Sequence, residues 1–373
     1  ELIWQFLRQG GVNNGINLLR YLHQDLLQER TLVPPQKPWQ PPAQLPQALI
    51  YQPGIAQASL LDWQRNTIEK GLQEAPVVAL LFYRSHLQSG NTLMFDGLIT
   101  SLIEHGMNPI ALAVTSLKSP EALALVNHTI TECDAKLVLS SLGFSSNKVD
   151  APSLSSAPTQ FKLPIESKIP VLQLVLSSTT SQAWAENNQG LRSSDMAMQV
   201  VLPEMDGHVL TRAISFKSMG YHNKLCQIDL VGYALEPERA AFVAQLAKSY
   251  CNLGHKANPD KRIALILANY PTKDGRIGNG VGLDTPQSAI NVLQAMFEAG
   301  YPIDAVPKDG NALIEALLES VTNNPNTLHH LPCWQSMDAN DYLSHFEKLP
   351  TASQESVWQR WGGPEKDPKY RDG

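Results

Sequence analysis

Short apolar runs that alternate with helical stripes confine this chain to few architectures. Val77-Val78-Ala79-Leu80-Leu81-Phe82-Tyr83 has the length and composition of a strand buried on both faces. Phe95, Leu98, Ile99, Leu102 and Ile103 then repeat at helical spacing, Gly106 closes that helix, and Pro109 to Val114 reads as the next strand. A helix near Pro120 to Ile130 leads to a third strand, Lys136 to Leu139, and Val171 to Leu176 supplies a fourth. Alternation of this kind builds a doubly wound parallel sheet.

The theme returns after Pro237 to Leu253, a long helix, and a polar hinge at Gly254 to Lys261. Arg262 to Tyr270 is again an apolar run suited to a strand buried on both faces. Thr285 is placed to cap a helix with Pro286 at its first position, and Ala289, Val292, Leu293, Met296 and Phe297 form its stripe. Gly300 ends it, Ile303 to Val306 reads as a strand, Ala312 to Leu318 as a helix, and Trp334 to Trp361 as mostly helical with a break at Leu349-Pro350. The fold expected is α/β, with two doubly wound parallel-sheet domains of the flavodoxin or Rossmann type behind an N-terminal helical hairpin. The boundaries are a hairpin over 1–33, a Pro-rich linker over 34–53, a first α/β domain over 54–254, and a second over 255–373, incomplete at its C-terminus. Gly143 to Lys168, rich in serine, proline and lysine, reads as a surface loop.

Between Tyr270 and Thr285 lies a long connection with glycines at 275, 278, 280 and 282. Connections in α/β units are usually short, and ligands gather at the carboxyl ends of parallel strands. Lys273, Asp274, Arg276 and Asn279 give this loop polar groups. Leu283 stands where G-x-G-x-x-G needs its third glycine, and no G-x-x-x-x-G-K-[ST] occurs in the chain. A dinucleotide or ATP site is disfavoured. The plainer reading is that the glycines serve turn geometry alone.

A net charge of −6 gives no support for nucleic-acid binding. The four cysteines, 133, 226, 251 and 333, have no C-x-x-C spacing and read as reduced thiols of a cytoplasmic protein. No apolar stretch is long enough to span a bilayer. The chain starts at Glu1 without methionine and reads as an internal piece of something longer.

Leu267-Ala268-Asn269-Tyr270-Pro271 and Asp274-Gly275-Arg276-Ile277-Gly278-Asn279-Gly280-Val281-Gly282-Leu283-Asp284-Thr285-Pro286 together resemble the signature of the cobaltochelatase large subunit of the CobN type. That family is shared with the large subunit of magnesium chelatase. Phe6 to Gly11 with Asn14 and Leu18 to Leu22, Leu202-Pro203-Glu204-Met205-Asp206-Gly207, and Trp361 to Pro364 resemble it in the same order. The resemblance implies a large subunit that holds a tetrapyrrole while cobalt, as substrate, enters hydrogenobyrinic acid a,c-diamide during cobalamin biosynthesis. It also implies separate AAA+ partner subunits that bind ATP and magnesium, so that these 373 residues alone are inactive. The rivals are a magnesium chelatase subunit acting on protoporphyrin, and a non-catalytic two-domain α/β binding module.

Insertion into a tetrapyrrole requires removal of two inner N–H protons and dehydration of the metal, work suited to a histidine or a carboxylate. His86, in Arg84-Ser85-His86 before Gly90-Asn91, resembles the family's tetrapyrrole loop; alone, it reads as an ordinary loop histidine. Glu204 and His86 are the candidate acid–base residues and transient metal guides. Arg84, Asn91, Asp206, Arg276, Gly278, Asn279 and Gly280 are the candidate substrate contacts. Extended backbone over Val200 to His208 would put Glu204 and Asp206 on one face. The bland alternative has both carboxylates satisfying backbone N–H groups before Gly207. His208 occupies a place that the resembled family often gives to arginine, and His222, His329 and His330 read as surface residues. The three loops at His86, Glu204 and Arg276 are expected to share one cleft.

Overall fold

A computed structural model describes residues 1–26, 37–143, 165, 169–269, 274–324 and 326–371. The chain divides into two compact units, Glu1–His255 and Lys256–Gly373.

The first unit is built on an eight-stranded sheet. Its strands are β1 (Ala48–Gln52), β2 (Ile55–Ala58), β3 (Val77–Tyr83), β4 (Asn108–Val114), β5 (Leu137–Ser140), β6 (Val171–Ser177), β7 (Val209–Asn223) and β8 (Ile228–Leu235). They lie in the order β2-β1-β4-β3-β5-β6-β7-β8. Strands β4, β3, β5, β6 and β7 run parallel, while β1, β2 and β8 are antiparallel additions at the two edges. The helices are α1 (Leu2–Gln9), α2 (Val12–Tyr21), α3 (Leu60–Glu69), α4 (Ser85–Gln88), α5 (Leu93–Glu104), α6 (Pro120–Glu132), α7 (Ser181–Glu186), α8 (Ser193–Met196), α9 (Leu202–Met205) and α10 (Pro237–His255).

Period-two alternation along β3 feeds two cores. Val78, Leu80 and Phe82 pack with Leu98 and Leu102 of α5 and with Val243, Ala244 and Ala247 of α10. Ala79 and Leu81 pack on the other face with Ile110, Leu112 and the α6 residues Ala122, Val126 and Ile130. Helix α6 starts where Ser119 accepts the Ala122 N–H and Pro120 takes the first position. At α3, Ser59 and Asp62 form a reciprocal capping box.

Three expectations are corrected here. The Pro-rich stretch 34–53 is not all linker, because Ala48–Gln52 forms β1, buried and paired antiparallel with β4. Residues 200–208 are not a strand. Ala197–Val201 is a π-turn, α9 follows, and β7 begins only at Val209. Pro203 explains the difference: at the start of a helical turn its missing N–H is harmless, whereas inside a parallel sheet it would delete a ladder bond.

The third correction concerns the second unit, with α11 (Thr285–Glu298), α12 (Gly310–Leu318), α13 (Ala339–Phe346) and α14 (Thr351–Trp361). Among its described residues there is no named strand, and the expected second parallel sheet is not formed by them. Residues 262–268 are irregular, with Ile263 54% and Ile266 88% exposed. A strand buried on both faces needs neighbours on both sides, and among the described residues here only the bridge Asn269↔Ile277 and a tight Gly280↔Leu283 bridge occur. Ile303 to Val306 is irregular for the same want of a partner. Helix α11 is capped by Asp284, one residue before the expected Thr285, with the Gln287 N–H donating to Asp284 Oδ1 at 3.1 Å. Val292 and Phe297 of the predicted stripe are exposed, and Ala289 and Ile290 are the buried pair. The expected 143–168 loop, except Gly143 and Ile165, and Tyr270 to Lys273 of the glycine-rich connection lie outside the described residues.

Candidate functional site

Beyond the carboxyl end of β3, α4 presents His86. Its imidazole is enclosed by aromatic rings: Phe95 at 5.0 Å, Tyr233 at 5.9 Å and Phe82 at 6.4 Å between centroids. Burial among them holds His86 below the ordinary histidine pKa, so the ring is neutral near pH 7. A neutral imidazole accepts a proton or binds a cation through a ring nitrogen.

The loop that carries His86 is fixed from three sides. Gly11 N–H donates to the Gln88 carbonyl at 2.7 Å, and a Cβ at Gly10 would lie 2.8 Å from that oxygen. The Gly10-Gly11 joint between α1 and α2 therefore permits close backbone contact, and Asn14 braces it by donating to the Gly10 and Ala43 carbonyls. Arg84 donates through Nη1 to the Leu45 and Pro46 carbonyls, while its Nε is buried without a partner. That guanidinium anchors the Pro-rich segment rather than reaching for a carboxylate. Asn91 Oδ1 accepts the Tyr233 N–H at 3.3 Å, which pins the loop to β8. As placed, Arg84 and Asn91 brace the loop.

The Glu204 turn has a different position. Gly207 N–H donates to the Glu204 carbonyl and His208 N–H to the Pro203 carbonyl, closing α9 in a Schellman motif with Gly207 at φ 80°. Backbone carbonyls make the turn, so the Glu204 carboxylate is not consumed by it. Glu204 is exposed, whereas Asp206 is 4% exposed, so the two do not share a face as extended backbone would require. The turn leads into the amino end of β7; Val209 pairs with Leu172 near the start of β6. The expectation that it follows a strand, and so shares the carboxyl edge with His86, is overturned. His208 Nδ1 lies 2.9 Å from Gln173 Oε1, and Gln173 Nε2 donates to the Leu142 and Leu174 carbonyls. Gln173 Oε1 is thus an acceptor and fixes the proton on His208 Nδ1. Burial keeps that ring neutral, against the opposing pull of Asp206.

In the second unit, Asp274 accepts from Thr322 Oγ1 at 2.9 Å and from Asn324 Nδ2 at 3.0 Å. It ties the glycine loop to the segment beyond α12. Removing it in Asp274→Ala leaves both donors unpaired and is expected to lower stability by about 1–3 kcal/mol, read as a fall in denaturant midpoint without a change in slope. Gly278, at φ 69°, is buried, and a Cβ there would meet Pro286 at 3.4 Å; at Gly280 it would lie 2.7 Å from Thr285 Oγ1. These glycines admit the start of α11. Arg276 is exposed, and its guanidinium has no partner among the described residues, so it stays available for an anionic group. Asn279 is half-buried and already engaged.

Two residues missed by sequence reasoning lie toward the same carboxyl edge, and one of them touches His86. Tyr233 comes from β8, 142 residues from its partner Asn91, and no local spacing links them. Asp195, 5% exposed, accepts from Ser178 N–H and Oγ at the carboxyl end of β6. Its charge adds to burial in raising the Tyr233 phenol pKa. Among the described residues no three His, Cys, Asp or Glu side chains converge as a metal cage.

In an open α/β sheet ligands gather outside the carboxyl ends of the parallel strands, the edge at which His86 sits. The CobN/Magnesium Chelatase family model matches residues 4–373, and the chain belongs to that family. It is 41% identical over 373 residues to the aerobic cobaltochelatase subunit CobN of Pseudomonas aeruginosa and 34% identical over 378 residues to that of Sinorhizobium sp.. Each alignment takes in 100% of this chain and 28% of the relative, so the chain spans little more than a quarter of their length. A magnesium-chelatase subunit from Chlorobaculum parvum is 23% identical over 85% of the chain and 24% of its own length. The catalytic subunit of cobaltochelatase from Mycobacterium tuberculosis superposes with a TM-score of 0.66 at 28% identity, covering 97% of this chain and 28% of that one.

Proposed function

We propose that these residues belong to the large, substrate-holding subunit of a cobaltochelatase that acts in the cytoplasm. In this reading cobalt enters hydrogenobyrinic acid a,c-diamide, while separate AAA+ subunits supply ATP hydrolysis with magnesium. The carrying observation is His86, a neutral imidazole in an aromatic surround at the carboxyl edge of the sheet. A macrocycle over this edge would meet an acceptor for an inner N–H proton, and the same ring nitrogen suits a cobalt ion shedding water. Glu204, exposed and unspent on its own turn, lies at the opposite edge of the sheet and is not assigned to this ring. Identity favours cobalt: 41% and 34% to two cobaltochelatase subunits, against 23% to a magnesium-chelatase subunit.

Reconstitution decides the metal. The full-length protein with its partner ATPases is expected to insert cobalt into hydrogenobyrinic acid a,c-diamide and to leave protoporphyrin free of magnesium, followed by absorbance. Insertion of magnesium instead would assign the other branch. Tight macrocycle binding without insertion of either metal would indicate a binding module.

A further inference from the structure

The β7–β8 ribbon outruns the rest of the sheet. Parallel pairing with β6 ends at Ser177↔Phe216, yet β7 continues to Asn223, paired with β8 back to Ile228. The ribbon therefore projects past the carboxyl edge at which His86 sits. Cross-strand partners share a face, so Lys217 and Tyr233 lie on one side, and Met219 and Val231 follow on that side. Tyr233 and Leu235 pack against the α5-side core. Farther out that face enters solvent, with Met219 63% and Val231 57% exposed.

We infer that this ribbon face, Tyr233 with Val231 and Met219, is the wall against which one flat side of the tetrapyrrole lies, with His86 at its foot. The inference rests on the chelatase reading and adds the residues that position the substrate. Three observations carry it. The Tyr233 ring is in edge contact with His86 at 5.9 Å, which makes the exposed strip continuous with the candidate base. Apart from Lys217, the strip is apolar and extended, the chemistry that the face of a conjugated macrocycle covers. Its base is held rigidly: Asn91 takes the Tyr233 N–H, and a Cβ at Gly232 would come 3.2 Å from Asn91 Oδ1. A bare glycine keeps the ribbon that close to the His86 loop.

The test uses the full-length protein and metal-free hydrogenobyrinic acid a,c-diamide, with binding read from the macrocycle absorbance. Met219→Asp and Val231→Asp place charges on exposed positions, so thermal midpoints should hold while Kd rises about tenfold or more. Tyr233→Phe should keep Kd within about twofold, and Tyr233→Ala should not. Leu225→Asp, at the ribbon turn and 96% exposed, should bind like the parent. Unchanged Kd in both Met219→Asp and Val231→Asp overturns the wall while leaving the chelatase reading intact. Failure of the parent to bind any tetrapyrrole overturns that reading too.

Discussion

Phe82→Ala is expected to cost the first unit about 3–5 kcal/mol, the range for emptying a buried aromatic site. Phe82 is fully buried at the end of β3, stacked on Phe95 with centroids 4.2 Å apart and edge-on to Tyr51 at 5.6 Å. Both neighbours are themselves held. Tyr51 donates to Asp96 Oδ1 at 2.5 Å, and burial with that carboxylate pushes its phenol pKa up to about 12. The surroundings cannot collapse into the void without breaking that bond, which argues for the upper part of the range. The same ring supports His86 from beneath, so a surviving variant should also lose order at the His86 loop. Chemical denaturation gives the energy, and histidine NMR line shapes report the loop. A loss under about 1 kcal/mol would mean that the core around β3 repacks freely.

The doubly wound centre was legible because two periods signal the same thing there. Val77–Tyr83 is apolar at every position, as a strand covered on both faces must be, and α5, α6 and α10 each carry a stripe that fits the cover. The edges were not legible. Strand β1 is short and follows a run of prolines, so composition hid it, although Leu49 and Tyr51 point into the core. The ribbon alternates apolar and polar residues, but its bulge near Gly220 breaks the register, and its outer half is exposed. Arg262–Ala268 misled for the opposite reason. Its apolar content states a preference for burial, but burial also requires neighbouring backbone, which no residue pattern within the segment can guarantee.

The candidate site divides in the same way. His86 was found from its place after a strand, and its neutral state came from ring packing that sequence does not show. Arg84 and Asp274 looked like ligand residues because charge near glycine suggests a site; each instead satisfies backbone or side-chain groups of this chain. The glycine loop was correctly marked as a place of close approach, but at Gly278 and Gly280 the approaching body is helix α11. Tyr233 and Asp195 depend on long-range pairing and were out of reach.

In the full-length protein with its partners, His86→Ala is expected to lower kcat for cobalt insertion by about 10²–10⁴, with KM changed little, because a proton acceptor acts in the transition state. Glu204→Ala, at the opposite edge of the sheet, is expected to leave kcat and KM near the parent values. A rise in KM with kcat held in His86→Ala would move that residue to binding or structure. The pH dependence separates them further. His86 must be neutral to accept a proton, and burial sets its folded pKa below the ordinary 6.5. The acid limb of insertion should therefore have its midpoint below pH 6.5, and His86→Ala should remove that limb while Glu204→Ala keeps it. Stability obeys the same sign. His86 and His208 both have folded pKa values below 6.5, so in acid the unfolded chain binds more protons than the folded one. Their contribution is present in full above 6.5 and is lost as pH falls through their lowered folded values. Denaturant midpoints measured from pH 7.5 to 5 should decline on the acid side, and less steeply in His208→Gln. The uncharged amide there can still donate to Gln173 Oε1 but has no proton to gain. An acid decline unchanged in that variant would place the titration elsewhere.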